Sequence, residues 1–325
     1  SIVAHAAAQA KGQGTPAVIA VTDRVGNVLA LFRMTGAPAA AHIADAPNGA
    51  NIDAQGLDVP AEAAAVAKAV TGAYLSSGGN AFSSRTASMI VQQHFPPSPS
   101  TVGLESGPLF GVQFSQLPCS DLNTRVGMAG AGPLIGPKRS PLGLAADPGG
   151  FPLYKNGVLV GGIGVMADGQ YSFDPNVLDV DQDKDESIAL AGTVGFEAPE
   201  AIRADHIYVD GTQLRYSDAT YSGIFDNSGA SWATTAPGLG SLEPLKGYYA
   251  GTALLPGSAY GTEASGIRAS TATEFSNRDA FVLSDGSGND RFPIRAGTDA
   301  ADVAQPLTAA EVRAILEQAF AVMSR

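Results

Sequence analysis

The sequence predicts an α+β fold: an antiparallel sheet of about five strands flanked by helices, followed by a β-rich extension. Three observations carry this expectation. Apolar runs joined by short Gly-Asn or Asn-Gly loops recur at 18–34 and 150–166, the pattern of β-hairpins. Stretches with helical apolar spacing, 59–74 and 183–195, lie between and after them. From Phe196 onward the texture turns to short strands, glycine turns and loops.

Taken in order, residues 2–11 (IVAHAAAQAK) place Ile2, Val3, Ala6, Ala7 and Ala10 on one helical face, and Gly12 and Gly14 stop the helix. No capping residue precedes it, so it reads as a helix lacking its first turns. VIAV and VLALF then form a hairpin through Thr22–Asn27, with Asp23 as a turn-forming residue. Residues 39–56 read as a loop. Val59–Tyr74 reads as a helix with Pro60 near its first turn, and Ser84–His94 as a second, ended by Phe95-Pro96-Pro97. Residues 96–150 are rich in Pro, Gly and Ser, a length of loop that usually serves function or an interface. Gly150–Met166 forms a hairpin whose second strand, VGGIGV, has room for a helix or a flat ligand to come close. Asp183–Gly195 reads as a helix with acids in its first turn. In the extension, Asp205–Tyr216 and Phe281–Ile294 read as hairpins. Leu307–Arg325 reads as a helix with a Thr308/Glu311 capping box and an apolar stripe of Val312, Ile315, Leu316, Ala319 and Met323.

Composition narrows the function classes. The chain has 325 residues, 45% hydrophobic and 15% charged, enough to bury a sizeable core. Its net charge of −12 argues against nucleic acid and against an anionic membrane surface as partners. No apolar run reaches the roughly 18 residues a membrane helix needs. A single cysteine, Cys119, forms neither an intrachain disulfide nor a metal cluster; it reads as a buried free thiol or a bond to another chain. The lysine-poor, Gly/Ala-rich composition leans to a bacterial periplasmic or secreted protein. There is no Gly-x-Ser-x-Gly elbow and no phosphate-binding loop, Ser84 and Cys119 stand isolated, and no catalytic residue is assigned.

Six short motifs occur in a fixed order: Val21-Thr22-Asp23 with Gly26; Arg33-Met34-Thr35-Gly36-Ala37; Lys68-Ala69-Val70-Thr71; Gly149-Gly150-Phe151-Pro152; Val160-Gly161-Gly162-Ile163-Gly164-Val165; and Asp185-Glu186-Ser187-Ile188-Ala189. Together they resemble the GlcG/HbpS family (DUF336) over roughly residues 1–195, interrupted by 96–150. The resemblance implies a helix-flanked antiparallel sheet and assembly into homo-oligomers or a larger complex. It also implies, for some members, binding or degradation of heme. Residues 196–306 are then a β-rich extension, and 307–325 resembles the opening helix of a second, tandem copy, against the simpler reading of an ordinary C-terminal helix.

Heme takes an apolar slot and an axial ligand from His, Met, Cys or Tyr. His5 and His42 lie near the family core and are the preferred ligands over His94 and His206. Arg33 is the candidate partner of a propionate, against pairing with Asp23 or Glu186. In a heme-binding member, the residue between Gly-Gly and Pro supplies an oxygen ligand; here it is Phe151, which lines or fills a slot instead. In DVDQDKDE, Asp179, Asp181, Asp183 and Asp185 alternate, but the sixth and twelfth positions are Lys184 and Leu190, so the EF-hand pattern fails. A looser Ca²⁺ site stays open beside a solvated helix lead-in. The leading function is tetrapyrrole binding with a ligand-directed activity open; the alternative is a non-catalytic assembly subunit that keeps the fold without ligand.

Overall fold

The computed structural model describes residues 1–46, 49–51, 54–92, 94–101, 107–109, 135–275, 280–298 and 304–323. Cys119 and most of the 96–150 segment lie outside the described residues. Two compact units are present. The first comprises 1–134 and 138–257, the second 135–137 and 258–325.

In the first unit, α1 (Ile2–Gly12) leads into β1 (Val18–Asp23) and β2 (Val28–Met34). A small ribbon, β3 (Ala40–His42) with β4 (Asp58–Pro60), precedes α2 (Ala61–Tyr74) and α3 (Ser84–Ile90). The expected helix at Val59 thus begins at Ala61, because Val59 and Pro60 pair with Ala41 and Ala40. The expected loop at 39–56 likewise begins with a strand. The hairpin β5 (Gly150–Lys155) and β6 (Val158–Met166) turns at Asn156-Gly157, both with positive φ. Then comes α4 (Lys184–Gly192), whose N-cap Asp183 accepts the Glu186 N–H at 2.7 Å. The extension adds the two-residue strands β7 (Tyr208–Val209) and β8 (Thr212–Gln213), the short helix α5 (Trp232–Thr235) and β9 (Gly240–Leu242).

The main sheet is antiparallel, in the order β5-β6-β1-β2-β9. Its fifth strand comes from the extension: β9 pairs Leu242, Ser241 and Gly240 with Phe32, Arg33 and Met34. Both faces are covered, which is why all six residues of β1 are buried. On one face Ile19, Phe32, Phe151, Ile163 and Val165 pack with Ala6, Ala7 and Ala10 of α1 and Ile188 of α4, together with Leu214 and Tyr216 of the extension. On the other, Val18, Ala20, Leu31 and Met166 pack with Ala65, Val66, Ala69 and Val70 of α2.

The glycine-rich strand has a clear physical cause. A Cβ at Gly162 would collide with the Ala69 carbonyl of α2, and one at Gly164 with the Ala65 carbonyl; the Cβ of any residue at Gly72 would strike the Phe151 backbone. The helix, and not a flat ligand, uses the space these glycines leave. Because the obstacle is backbone, Gly162→Ala is expected to cost about 1–3 kcal/mol, the range for overpacked cores. Chemical denaturation against the parent chain measures it.

The second unit holds a ribbon of β10 (Ile267–Ala269) and β11 (Phe281–Leu283), and α6 (Ala309–Met323). The expected hairpin within 281–294 is present in short form: Ser284 and Asp290 form an antiparallel bridge flanked by Arg291 N–H to the Leu283 carbonyl at 2.9 Å and Asp285 N–H to the Asn289 carbonyl at 3.0 Å, while β11 pairs along its length with β10. Arg268 draws in Glu263 at 3.1 Å, Glu274 at 2.6 Å and Asp290 at 2.5 Å. The capping box of α6 is formed: Thr308 N–H donates to Glu311 Oε2 at 2.8 Å, and Glu311 N–H to Thr308 Oγ1 at 3.2 Å. Its stripe stays open, with Ile315 57% and Met323 82% exposed. Among the described residues, no helix is long and apolar enough to cross a membrane.

Candidate functional site

Two of the ordered motifs, at Lys68 and at Asp185-Glu186, meet in a buried ionic network. Lys68 of α2 is fully buried; its Nζ lies 2.6 Å from Asp185 Oδ2 of α4 and also pairs with Asp147. Asp185 Oδ1 in turn accepts the N–H groups of Ala167 (2.7 Å) and Asp168 (3.2 Å). Burial disfavours the Lys68 ammonium, but Asp147 and Asp185 more than offset this, and its pKa is raised. Burial pushes the Asp185 carboxyl up to about 7 despite Lys68.

One residue from Asp185, Glu186 joins a second hub. Arg85, at the start of α3, places Nε 2.7 Å from Glu186 Oε1. Its Nη1 lies 2.8 Å from Asp174, 3.1 Å from Asp218 and 3.3 Å from Asp181. Glu186 Oε2 accepts the N–H groups of Asp218 (2.9 Å) and Ala219 (3.0 Å). Burial raises the Glu186 carboxyl to about 7 against the pull of Arg85. The network thus ties α2, α3, α4 and the extension together. Sequence reasoning found Glu186 but missed Arg85, Asp174 and Asp218, whose only signal was charge in otherwise apolar or loop surroundings.

The four predicted site residues do not converge. Arg33 belongs to the α2 face: it bonds Glu62 of α2 and Glu243, each at 2.6 Å, and the Pro38 carbonyl at 2.6 Å. The expected pairing with Asp23 or Glu186 does not form. Asp23 instead caps its own turn through Val25 N (3.1 Å), Asn27 N (2.9 Å) and the Asn27 amide (2.8 Å). Arg33 borders an open depression of about 410 Å³ with Thr35, Gly36, Gly238, Gly240, Ser241 and Glu243, but its fork is already committed to two carboxylates. His42 sits on the β3–β4 ribbon, its Nδ1 2.9 Å from Asp58 Oδ1, with a 40% exposed side chain. The neighbouring Ala41 and Val59 pack toward α2.

Phe151 and His5 lie on the opposite face. Phe151 is fully buried, its ring edge-on to Tyr216 at 5.5 Å between centroids. It fills its position and lines no open slot. His5, on α1, is half-buried, and its Nδ1 is buried with no hydrogen-bond partner among the described residues. Burial lowers its pKa, the nearby amino terminus lowers it further, and the Val194 backbone and Glu197 oppose them. A neutral imidazole with an unused nitrogen is the form in which histidine binds a metal. Of the four residues, His5 and His42 each keep a ring nitrogen that can meet iron, His5 its buried Nδ1 and His42 the nitrogen opposite the one held by Asp58, whereas Phe151 has no donor and Arg33 no free fork.

Asp174, Asp179 and Asp181 bring three carboxylate oxygens within 4.8 Å of one another. Asp174 and Asp181 also pair with Arg85, Asp179 accepts from Asn176 Nδ2 at 2.8 Å, and Asp183 caps α4.

No family model matches the chain, and no curated protein matches it. Among solved structures, it is similar to the DUF336 protein ORFY from Klebsiella pneumoniae, with 18% identity over 61% of this chain and 87% of that one and a TM-score of 0.33. It is also similar to PduOC, solved as a heme complex, at 15% identity over 61% and 91% of the two chains, TM-score 0.32. A double mutant of HbpS from Streptomyces reticuli gives 18% identity over 60% and 84%, TM-score 0.29.

Proposed function

We propose that this chain binds heme or a related tetrapyrrole through His5. The observation that carries the reading is the buried, unpartnered Nδ1 of a histidine whose protonation burial disfavours; the six ordered motifs supply the ligand class. Bound iron would supply redox or ligand-exchange chemistry. The protein's own part is to hold the His5 lone pair ready and to wall it with α1 and the 194–197 turn. Phe151, standing where a ligating residue is expected, closes that side with hydrocarbon. Reaching Nδ1 requires the covering segment to shift, since the nitrogen is shielded from solvent.

Hemin titration followed by absorption tests this. A Soret shift is expected at stoichiometric hemin, lost or weakened at least about tenfold in His5→Ala and retained in His42→Ala. Because the His5 pKa is lowered, binding should persist into the pH range where an ordinary histidine is already protonated. Absence of a shift, or a shift that depends on His42, rejects the reading. The complete burial of Phe151 against Tyr216 favours a second reading, a ligand-free assembly subunit; it gains if no hemin binds and the chain sediments as an oligomer. Residence in the periplasm or outside the cell belongs to the same proposal and is checked by cell fractionation.

A further inference from the structure

We infer that Gln9 and Gln13 form a carboxylate subsite for the ligand of His5, covered by the Ile224–Asn227 strap; this rests on the His5 reading above. His5 and Gln9 of α1 and its C-cap residue Gln13 follow one another at four-residue intervals, so they run along one side of the helix and its end at about 6 Å per step. Each carries a buried polar atom with no partner among the described residues: His5 Nδ1, Gln9 Nε2 and Gln13 Oε1. Buried polar groups are nearly always satisfied, and three orphans in a row are costly unless something else pairs with them. Gln9 is completely buried. Its Oε1 is fixed by the Phe225 N–H at 2.9 Å, which makes Nε2 the free group, a donor. Gln13 Nε2 donates to Ser187 Oγ at 2.8 Å. The Ser187 hydroxyl gives its own hydrogen to the Lys184 carbonyl at 3.0 Å; redirecting it to Gln13 Oε1 lets the amide turn and present a second donor, at the cost of that one bond.

Two amide donors, one and two turns from a metal-binding nitrogen, fit a planar ligand whose acidic arms reach beyond its metal centre. Arg33, the expected partner for such an arm, is on the other side of the sheet. The strap supplies the cover. Ile224–Asn227 has no regular structure, and three contacts hold it to α1: Phe225 N–H to Gln9, Asn227 Nδ2 to the His5 carbonyl at 3.3 Å, and the Phe225 ring against Gly12. Its ends are anchored more firmly, by Tyr221 on Thr193 at 2.8 Å and by Trp232 edge-on to Phe32 at 5.7 Å. The middle can lift while the ends stay.

The test compares hemin with its dimethyl ester, in which the acidic arms are blocked, on the full chain. The unaltered protein should prefer hemin by about tenfold, the worth of hydrogen bonds to a charged group. Gln9→Glu keeps the acceptor for Phe225 N–H but removes the donor, and should abolish the preference while leaving ester affinity and Soret position unchanged. Gln13→Leu should reduce the preference as well, and carries the test if the first variant fails to fold. Equal preference in all three proteins overturns the subsite while His5-dependent Soret binding still stands. Hemin binding that is absent, or indifferent to His5→Ala, overturns both.

Discussion

Replacing Arg85 by methionine is expected to destabilise the chain by about 3–5 kcal/mol, the cost of leaving buried charges without their partner. Glu186, Asp174 and Asp218 have side chains 1%, 4% and 0% exposed, and Arg85 is the cation they share. Against a total stability of about 5–15 kcal/mol this is a large fraction. The sign of the pH dependence follows from Glu186. Its folded pKa is about 7 and its unfolded value near 4.5, so between those values the native state holds more protons than the unfolded one. Stability from this group therefore falls as pH rises through that window. Loss of Arg85 raises the carboxyl further, so the deficit should be largest above pH 7 and shrink toward pH 5. Urea denaturation across this range measures it; a deficit that grows on acidification contradicts the assignment. Arg85→Lys should not restore stability, because a single ammonium cannot fork between Glu186 and Asp174.

Lys68→Met should be comparably costly, about 3–5 kcal/mol, since it strands Asp147 and Asp185 beneath α2. The informative variant is the double one. Asp185→Asn keeps an acceptor for the Ala167 N–H and removes one stranded charge. Lys68→Met with Asp185→Asn is thus expected to be more stable than Lys68→Met alone. A double-mutant cycle by denaturation reads the coupling; additive losses would mean that Lys68 and Asp185 do not act as a pair.

The hairpins, the flanking helices and the capped turns were legible in the sequence because they follow from neighbours. Asp23, Asp183 and Thr308 all act on residues two to four positions away. What stayed hidden depends on distant partners. Arg85 meets acids 89, 96 and 101 residues further on, and no local pattern announces them. Arg33 read as a ligand-facing strand end because Glu62 and Glu243 come from a helix and a late loop. The glycines of β6 were visible, but whether a helix or a ligand used their space depended on where α2 crossed. His5 stood out only as a histidine near an apolar stripe; its unpartnered nitrogen is a property of the packed molecule.

The late arrival of β9 has a consequence for how the chain folds. Glu243, just past that strand, meets Arg33 across 210 residues of sequence. At 5–20 residues per second, a ribosome takes about 10–40 s to traverse that distance. During that interval β2 has its β1 side paired and its other edge bare, the arrangement most open to pairing with a neighbouring chain. A nascent chain stalled before residue 240 should therefore aggregate more readily than one released after 257, and chaperone demand during synthesis should fall once β9 has emerged and paired with β2.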